Sequence, residues 1–146
     1  MAKRIQDFTL LGNQFINDTT FIMELQSDET PERCLPGQFA EVEVPGSKDV
    51  FLRRPFSIHD VDYGNRTIKL YIKAIGKGTQ RLGELQPGTV VNMIYPLGNS
   101  FTIKGAGRVL LVGGGTGVAP MMLLAKHLKQ QGAQPVLLQG GRSGSD

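Results

Sequence analysis

The sequence predicts a small closed antiparallel β-barrel followed by the opening of a parallel α/β unit. Three observations carry this. Up to about Leu82 the apolar residues recur with a strand period and turn chemistry separates them, with no sustained helical period. Glycine supplies 19 of 146 residues, against the usual ~7%, and without a fixed repeat. After Arg108 the pattern switches to a continuous apolar run, a glycine cluster and a helical stripe.

Taken in order, Phe8–Leu11 and Thr20–Leu25 read as a first strand pair, linked by a polar stretch containing Asn17 and Asp18. Pro36-Gly37 turns the chain into Gln38–Val44, whose strict alternation marks a half-buried strand, and Pro45-Gly46 ends it. Strands are expected over Leu52–His59, Thr67–Ala74 and Thr89–Tyr95, with Tyr63-Gly64-Asn65 as a turn and one helical turn over Thr79–Leu85. In the fifth strand Ile68, Leu70 and Ile72 alternate with Lys69, Tyr71 and Lys73. Six short strands with Gly/Pro turns favour a closed, Greek-key type barrel, which removes exposed edges.

The second region is expected to open with Val109–Val112 as a buried parallel strand. The loop Gly113-Gly114-Gly115-Thr116-Gly117 follows, and then a helix with Val118, Met121, Met122, Ala125 and Leu128 on its buried face. Pro120 falls in its first turn and Gly132 past its end. Val136–Gln139 reads as a second buried strand. The division predicted is a barrel domain over residues 1–104 and the start of a nucleotide-binding domain over residues 105–146. Two parallel strands leave apolar faces uncovered, so the expectation is of a fold cut short at its C-terminus.

Charge and cysteine content narrow the chemistry. Residues 1–84 hold 11 basic and 12 acidic groups, whereas residues 85–146 hold Lys104, Arg108, Lys126, Lys129 and Arg142 against Asp146 alone. Those cations are scattered and not interleaved with aromatics, so they suit a small anionic ligand or plain solvation better than nucleic acid. No run approaches the ~20 apolar residues of a membrane span and the first residues lack a signal-peptide core, so a cytoplasmic location is expected. Cys34 is the single cysteine, which excludes an intramolecular disulfide and a thiolate-ligated cluster. His59 and His127 have no partner at ligand spacing.

Three segments carry candidate chemistry. Arg53-Arg54-Pro55-Phe56-Ser57 places two arginines on opposite faces of a strand, so that one reaches solvent and the other a bound anion. A flavin needs a cation for its diphosphate, an aromatic or proline surface beside its ring and a hydroxyl near its reactive nitrogen; a surface arginine pair beside a structural serine is the other reading. Gly76-Lys77-Gly78-Thr79 lets Gly78 and Thr79 present N–H groups at a helix start, where a phosphate is favoured, or else is a turn. Gly114, Gly115, Thr116 and Gly117 sit between strand and helix like a dinucleotide loop, but Val118 replaces the third glycine and no acid lies between Leu85 and Ser145 to grip a ribose.

In this order, Arg54-Pro55-Phe56-Ser57, Gly-Lys-Gly-Thr and Gly-Gly-Gly-Thr-Gly-Val-Ala-Pro resemble the ferredoxin-reductase family of FAD and NAD(P) proteins. Leu52–Ile58, Gly76–Leu82 and Pro96–Phe101 are most similar to the electron-transfer subunits of NAD-dependent dihydroorotate dehydrogenases, enzymes of pyrimidine biosynthesis. The resemblance implies that Arg54, Pro55, Phe56 and Ser57 contact FAD, that Tyr71, Ile72 and Lys73 line its other side, and that Gly78 and Thr79 hold its diphosphate. It implies electron transfer from NAD(H) through FAD and a 2Fe-2S cluster to an FMN-containing catalytic subunit of dihydroorotate dehydrogenase as partner. The sequence departs from the pattern at Tyr95, where glycine is expected, and in lacking the cluster cysteines, so a catalytically incomplete module is expected. A ferredoxin or flavodoxin reductase, a hydrogenase-type diaphorase subunit, and a non-catalytic flavin-binding or assembly module remain as alternatives.

Overall fold

The computed structural model describes residues 3–103 and 107–142. The expected division between 104 and 105, Lys104 itself and everything from Ser143 onward lie outside the described residues.

Six strands form the barrel: β1 (Arg4–Phe15), β2 (Thr20–Gln26), β3 (Phe39–Val42), β4 (Arg54–Asp62), β5 (Thr67–Lys73) and β6 (Val90–Leu97). Their order, β1-β2-β5-β4-β3-β6 with β6 returning to β1, is a closed Greek-key arrangement in which every pairing is antiparallel. Side chains alternate across each strand. Hence Ile68, Leu70 and Ile72 fill the interior with Phe8, Phe21, Met23, Leu25 and Met93, while Lys69, Tyr71 and Lys73 point outward.

Local chemistry sets the turns. The Asn17 side-chain oxygen accepts from the N–H groups of Thr19 (3.0 Å) and Thr20 (2.8 Å), closing the β1–β2 turn. Asp62 accepts from the backbone N–H (3.0 Å) and side-chain amide (2.8 Å) of Asn65 at the β4–β5 turn, which holds its carboxyl below the usual range. Helix α1 (Lys77–Glu84) starts earlier than the expected turn, directly after its N-cap Gly76. The Thr79 hydroxyl reaches back to the Gly76 N–H (3.1 Å), capping the first turn from inside. β1 and β4 run further than their apolar cores, because ladder pairing continues through polar residues.

Tyr95, where the resemblance leads to the expectation of glycine, is accommodated inside the core. Its ring is fully buried and meets Phe8 edge-on at 5.4 Å, while its hydroxyl donates to Gln6 Oε1 (2.6 Å) and accepts from the Glu32 N–H (3.2 Å). Burial is the main cause that raises its pKa. Cys34 is also buried and donates to the Glu32 carbonyl; burial first, and then the charge of Glu32, push its thiol up to about 12.

The second unit pairs β7 (Arg108–Gly114) with β8 (Gln134–Gly140) in parallel, with α2 (Met121–Gln130) on one face. Two expectations are corrected here. The apolar runs are not buried strands: Leu110, Val112, Val136 and Leu138 are 58–64% exposed, because helix cover exists on one face only. The helix also begins later, since Gly115–Val118 form a separate 3-10 turn before Pro120. The helical stripe therefore runs Met121, Leu124, Ala125 and Leu128, so Leu124 is in the core and Met122 is 46% exposed. Among the described residues no helix is long and apolar enough to cross a membrane.

Candidate functional site

A cleft of about 850 Å³ lies where the barrel wall meets the glycine-rich loop, within the usual size of ligand sites. Pro55, Phe56 and Ser57 enter from β4, Tyr71 and Lys73 from β5, and Thr79 from the first turn of α1. Gly114 at the end of β7, with Gly115 and Thr116 after it, faces them, beside Gly140 at the end of β8 and Gly141 and Arg142 after it. Four stretches of the sequence, around residues 55–57, 71–79, 114–119 and 140–142, thus form one site. Among the described residues no acidic side chain lines it.

Strand alternation explains who enters. On β5, Tyr71 and Lys73 face out into the cleft, and the same pleat sends Ile72 into the barrel core with no exposed surface. Ile72 therefore offers only its backbone to this region, while Tyr71 and Lys73 offer side chains.

The two arginines divide their tasks, and Arg53, rather than reaching solvent, bonds within the barrel. Arg53 donates to the Asn92 carbonyl (2.9 Å) and Asn92 Oδ1 (2.6 Å) on β6 and lies 3.7 Å from Glu43. Arg54 turns toward α1, with one nitrogen donating to the Leu52 carbonyl at 2.9 Å. A Cβ added to Gly78 would stand 3.1 Å from Arg54 Nε and 3.3 Å from Val50 Cγ1. Glycine at 78 thus keeps the arginine against the helix start, where its charge and the unpaired N–H groups of the first turn add. Arg54 and Gly78 flank the cleft and do not line it.

The glycine loop differs from its expected form. Gly117 lies in the 3-10 turn, away from the cleft lining, and the α2 N-terminus is displaced to Pro120. The loop's contribution comes from Gly114, Gly115 and Thr116. The Val118 backbone comes within 3.0 Å of where a Gly113 Cβ would be, so that glycine serves a close turn.

Reading the sequence missed Ile75, Ala119 and His59. Ile75 is 80% exposed at the cleft edge, and an apolar residue between a strand and a Gly-x-Gly turn was its only signal. His59 is buried, its Nδ1 2.6 Å from the Ala119 carbonyl and its ring 5.8 Å from that of Tyr71. Next to it, Asp60 accepts from Lys126 Nζ on α2 at 2.6 and 2.7 Å. His127 stands apart, 3.0 Å from the Gln131 amide nitrogen. No cluster of three acidic, histidine or cysteine side chains able to hold a metal occurs among the described residues.

Comparison with known proteins agrees with this geometry. No family model matches the sequence. The chain is 38% identical over 135 residues, 90% of its length, to the dihydroorotate dehydrogenase B (NAD(+)) electron-transfer subunit of Bacillus caldolyticus, covering 52% of that relative. It spans about half the length of the curated relatives it matches. Among solved structures, the NADH-dependent reduced ferredoxin-NADP oxidoreductase superposes with a TM-score of 0.83 at 27% identity, over 94% of this chain and 49% of the other. The flavohem-like FAD/NAD binding domain of nitric oxide dioxygenase from Vibrio cholerae shares the fold with a TM-score of 0.82 at 20% identity, over 96% of this chain and 64% of the other.

Proposed function

We infer, from the chain's kinship with dihydroorotate dehydrogenase B electron-transfer subunits and the fold it shares with ferredoxin-reductase-like proteins, that it carries the flavin site of such a subunit. FAD occupies the cleft, electrons arrive from NAD(H), and the FMN-bearing catalytic subunit of dihydroorotate dehydrogenase in the cytoplasm is the acceptor. The observation that carries this reading is the cleft itself, free of acidic side chains among the described residues, with Pro55 and aromatic walls, the hydroxyls of Ser57, Thr79 and Thr116, and the cations Lys73 and Arg142 in its lining.

The residues present fit the group. Pro55 gives an apolar surface beside the isoalloxazine ring and Tyr71 a flat aromatic one, Ser57, on the same face of β4 as Pro55, offers its hydroxyl to a ring nitrogen or oxygen, and Phe56, packed against the barrel core, backs the wall at the cleft. Arg54 and the N–H groups of Gly78 and Thr79 take the diphosphate, an anion placed at a helix start. Gly114, Gly115, Thr116 and Gly117 belong to the loop that meets the phosphates of the nicotinamide nucleotide. The bound flavin supplies the redox chemistry; the protein orients its ring and keeps water from its face. One cysteine cannot provide the thiolate set of a 2Fe-2S cluster, so no residue of this sequence is assigned to that relay. The same reading takes residues 1–104 as the flavin domain and 105–146 as part of the nucleotide domain.

The uncovered face of the β7–β8 sheet favours one rival, a flavin-binding module without turnover. Anaerobic addition of NADH to the FAD-loaded protein, followed by visible absorption, separates the two. Bleaching of the flavin bands supports electron transfer, persistent bands support the inert module, and a protein that never acquires flavin bands contradicts both.

A further inference from the structure

We propose that His59 and Asp60 form a latch that positions the glycine-rich loop against the barrel wall of the cleft, with His59 as the positioning residue. The cause lies in the β4–β5 ladder. Ile58 pairs with Leu70 and Asp60 with Lys69, so β4 carries one residue more than its partner at His59. Such a bulge breaks the alternation of side chains and re-aims them. Two consecutive residues thereby address the same neighbour, His59 toward the 3-10 turn and Asp60 toward α2.

His59 touches both walls at once. Its Nδ1 faces the Ala119 carbonyl at 2.6 Å, an acceptor only, so Nδ1 is the nitrogen that carries the proton. Ala119 in turn donates its own N–H to the Thr116 carbonyl at 3.0 Å, so fixing Ala119 fixes the turn that holds Gly115 and Thr116 in the cleft. On the barrel side the imidazole packs on Tyr71, 5.8 Å between ring centres, and Tyr71 lines the cleft. The Asp60–Lys126 pair holds the helix beyond the turn, with Asp60 mostly shielded from solvent. The consequence of these contacts for cofactor binding rests on the flavin reading above.

The substitutions that separate a positioning role from simple filling are His59→Leu, which keeps bulk without a donor, and His59→Asn, whose side-chain nitrogen can stand where Nδ1 stands. Lys126→Ala cuts the second contact without touching the barrel. Nitroxide labels at Asp18→Cys and Lys129→Cys, both exposed sites, report the barrel-to-helix distance by electron double resonance, since buried Cys34 with its protonated thiol stays unlabelled. Wild type and His59→Asn give one narrow distribution. His59→Leu and Lys126→Ala broaden it, with an undocked fraction about three- to tenfold larger, the scale of one hydrogen bond lost. A narrow distribution in Lys126→Ala or in folded His59→Leu overturns the latch, and Lys126→Ala decides should the leucine variant fail to fold.

A second arm reads the cleft. With FAD bound, iodide quenches flavin fluorescence more strongly in His59→Leu and Lys126→Ala than in wild type, while FAD affinity changes less than about threefold, because the barrel contacts persist. Broadened distances with unchanged quenching would remove the positioning role. Absence of FAD binding by wild type would remove the flavin reading instead, leaving the distance measurement to judge the latch.

Discussion

The barrel and the unit behind it solve the same burial problem with unequal means. In the barrel every strand has two hydrogen-bonded neighbours and the interior residues have essentially no exposed surface. In the second unit β7 and β8 pair only with each other among the described residues, one helix covers one face, and the buried set around Leu111, Leu124 and Leu128 is small. Closure removes edges and lets a short sequence bury its apolar side chains completely; an open pair of parallel strands cannot. The barrel is therefore the rigid half of the cleft, and the loop across from it depends on docking for its position.

The largest test of that contrast is a pair of truncations. Phe21→Ala, in the barrel interior beside Phe15 at 5.1 Å, is expected to cost about 3–5 kcal/mol, whereas Leu138→Thr on the open sheet face is expected to stay within about 0.5 kcal/mol. Urea unfolding followed by circular dichroism measures both, and comparable losses would break the distinction.

Alkali sharpens it next. The folded barrel holds the Cys34 proton more tightly than the unfolded chain does, its thiol being raised from 9.0 to about 12. The stability from this group is full below pH 9 and is lost as pH rises toward 12, with a slope of at most about 1.4 kcal/mol per pH unit. Cys34→Ala should flatten that part of the pH–stability curve, and an unchanged slope would show that the thiol is not buried as described.

A smaller effect is expected at the barrel end. Tyr95→Phe keeps the ring against Phe8 but leaves Gln6 Oε1 and the Glu32 N–H without the hydroxyl, at about 1–2 kcal/mol. Thermal unfolding of the variant checks this, and no change in midpoint would mean that water replaces the hydroxyl at no cost.

What could be read in the sequence follows the same division. Alternation in Thr67–Lys73 and the turn residues around Pro36-Gly37 and Tyr63–Asn65 predicted the barrel strands, because a half-buried strand writes its two faces into successive residues. Pro55, Phe56, Ser57, Tyr71 and Thr79 were legible as a set since their motifs are local, and the fold converges them. Burial in the second unit was legible only as a shortage of covering elements, not residue by residue. Leu110, Val112, Val136 and Leu138 look like interior residues, and only the count of neighbouring elements decides whether anything covers them. His59 and Asp60 were invisible for another reason: a bulge changes the direction of side chains without changing their composition. Ile72 shows the converse, since the motif named a stretch and the pleat selected alternate members of it.

The claim that the cleft between barrel and loop is a flavin site is tested most directly by titrating FAD into the purified protein and following flavin fluorescence, alongside Arg54→Ala. The account predicts saturable binding of one FAD per chain, weakened about tenfold or more in the variant as a charge-assisted contact to the diphosphate is lost. Fluorescence that never saturates, or identical curves for the two proteins, would contradict it.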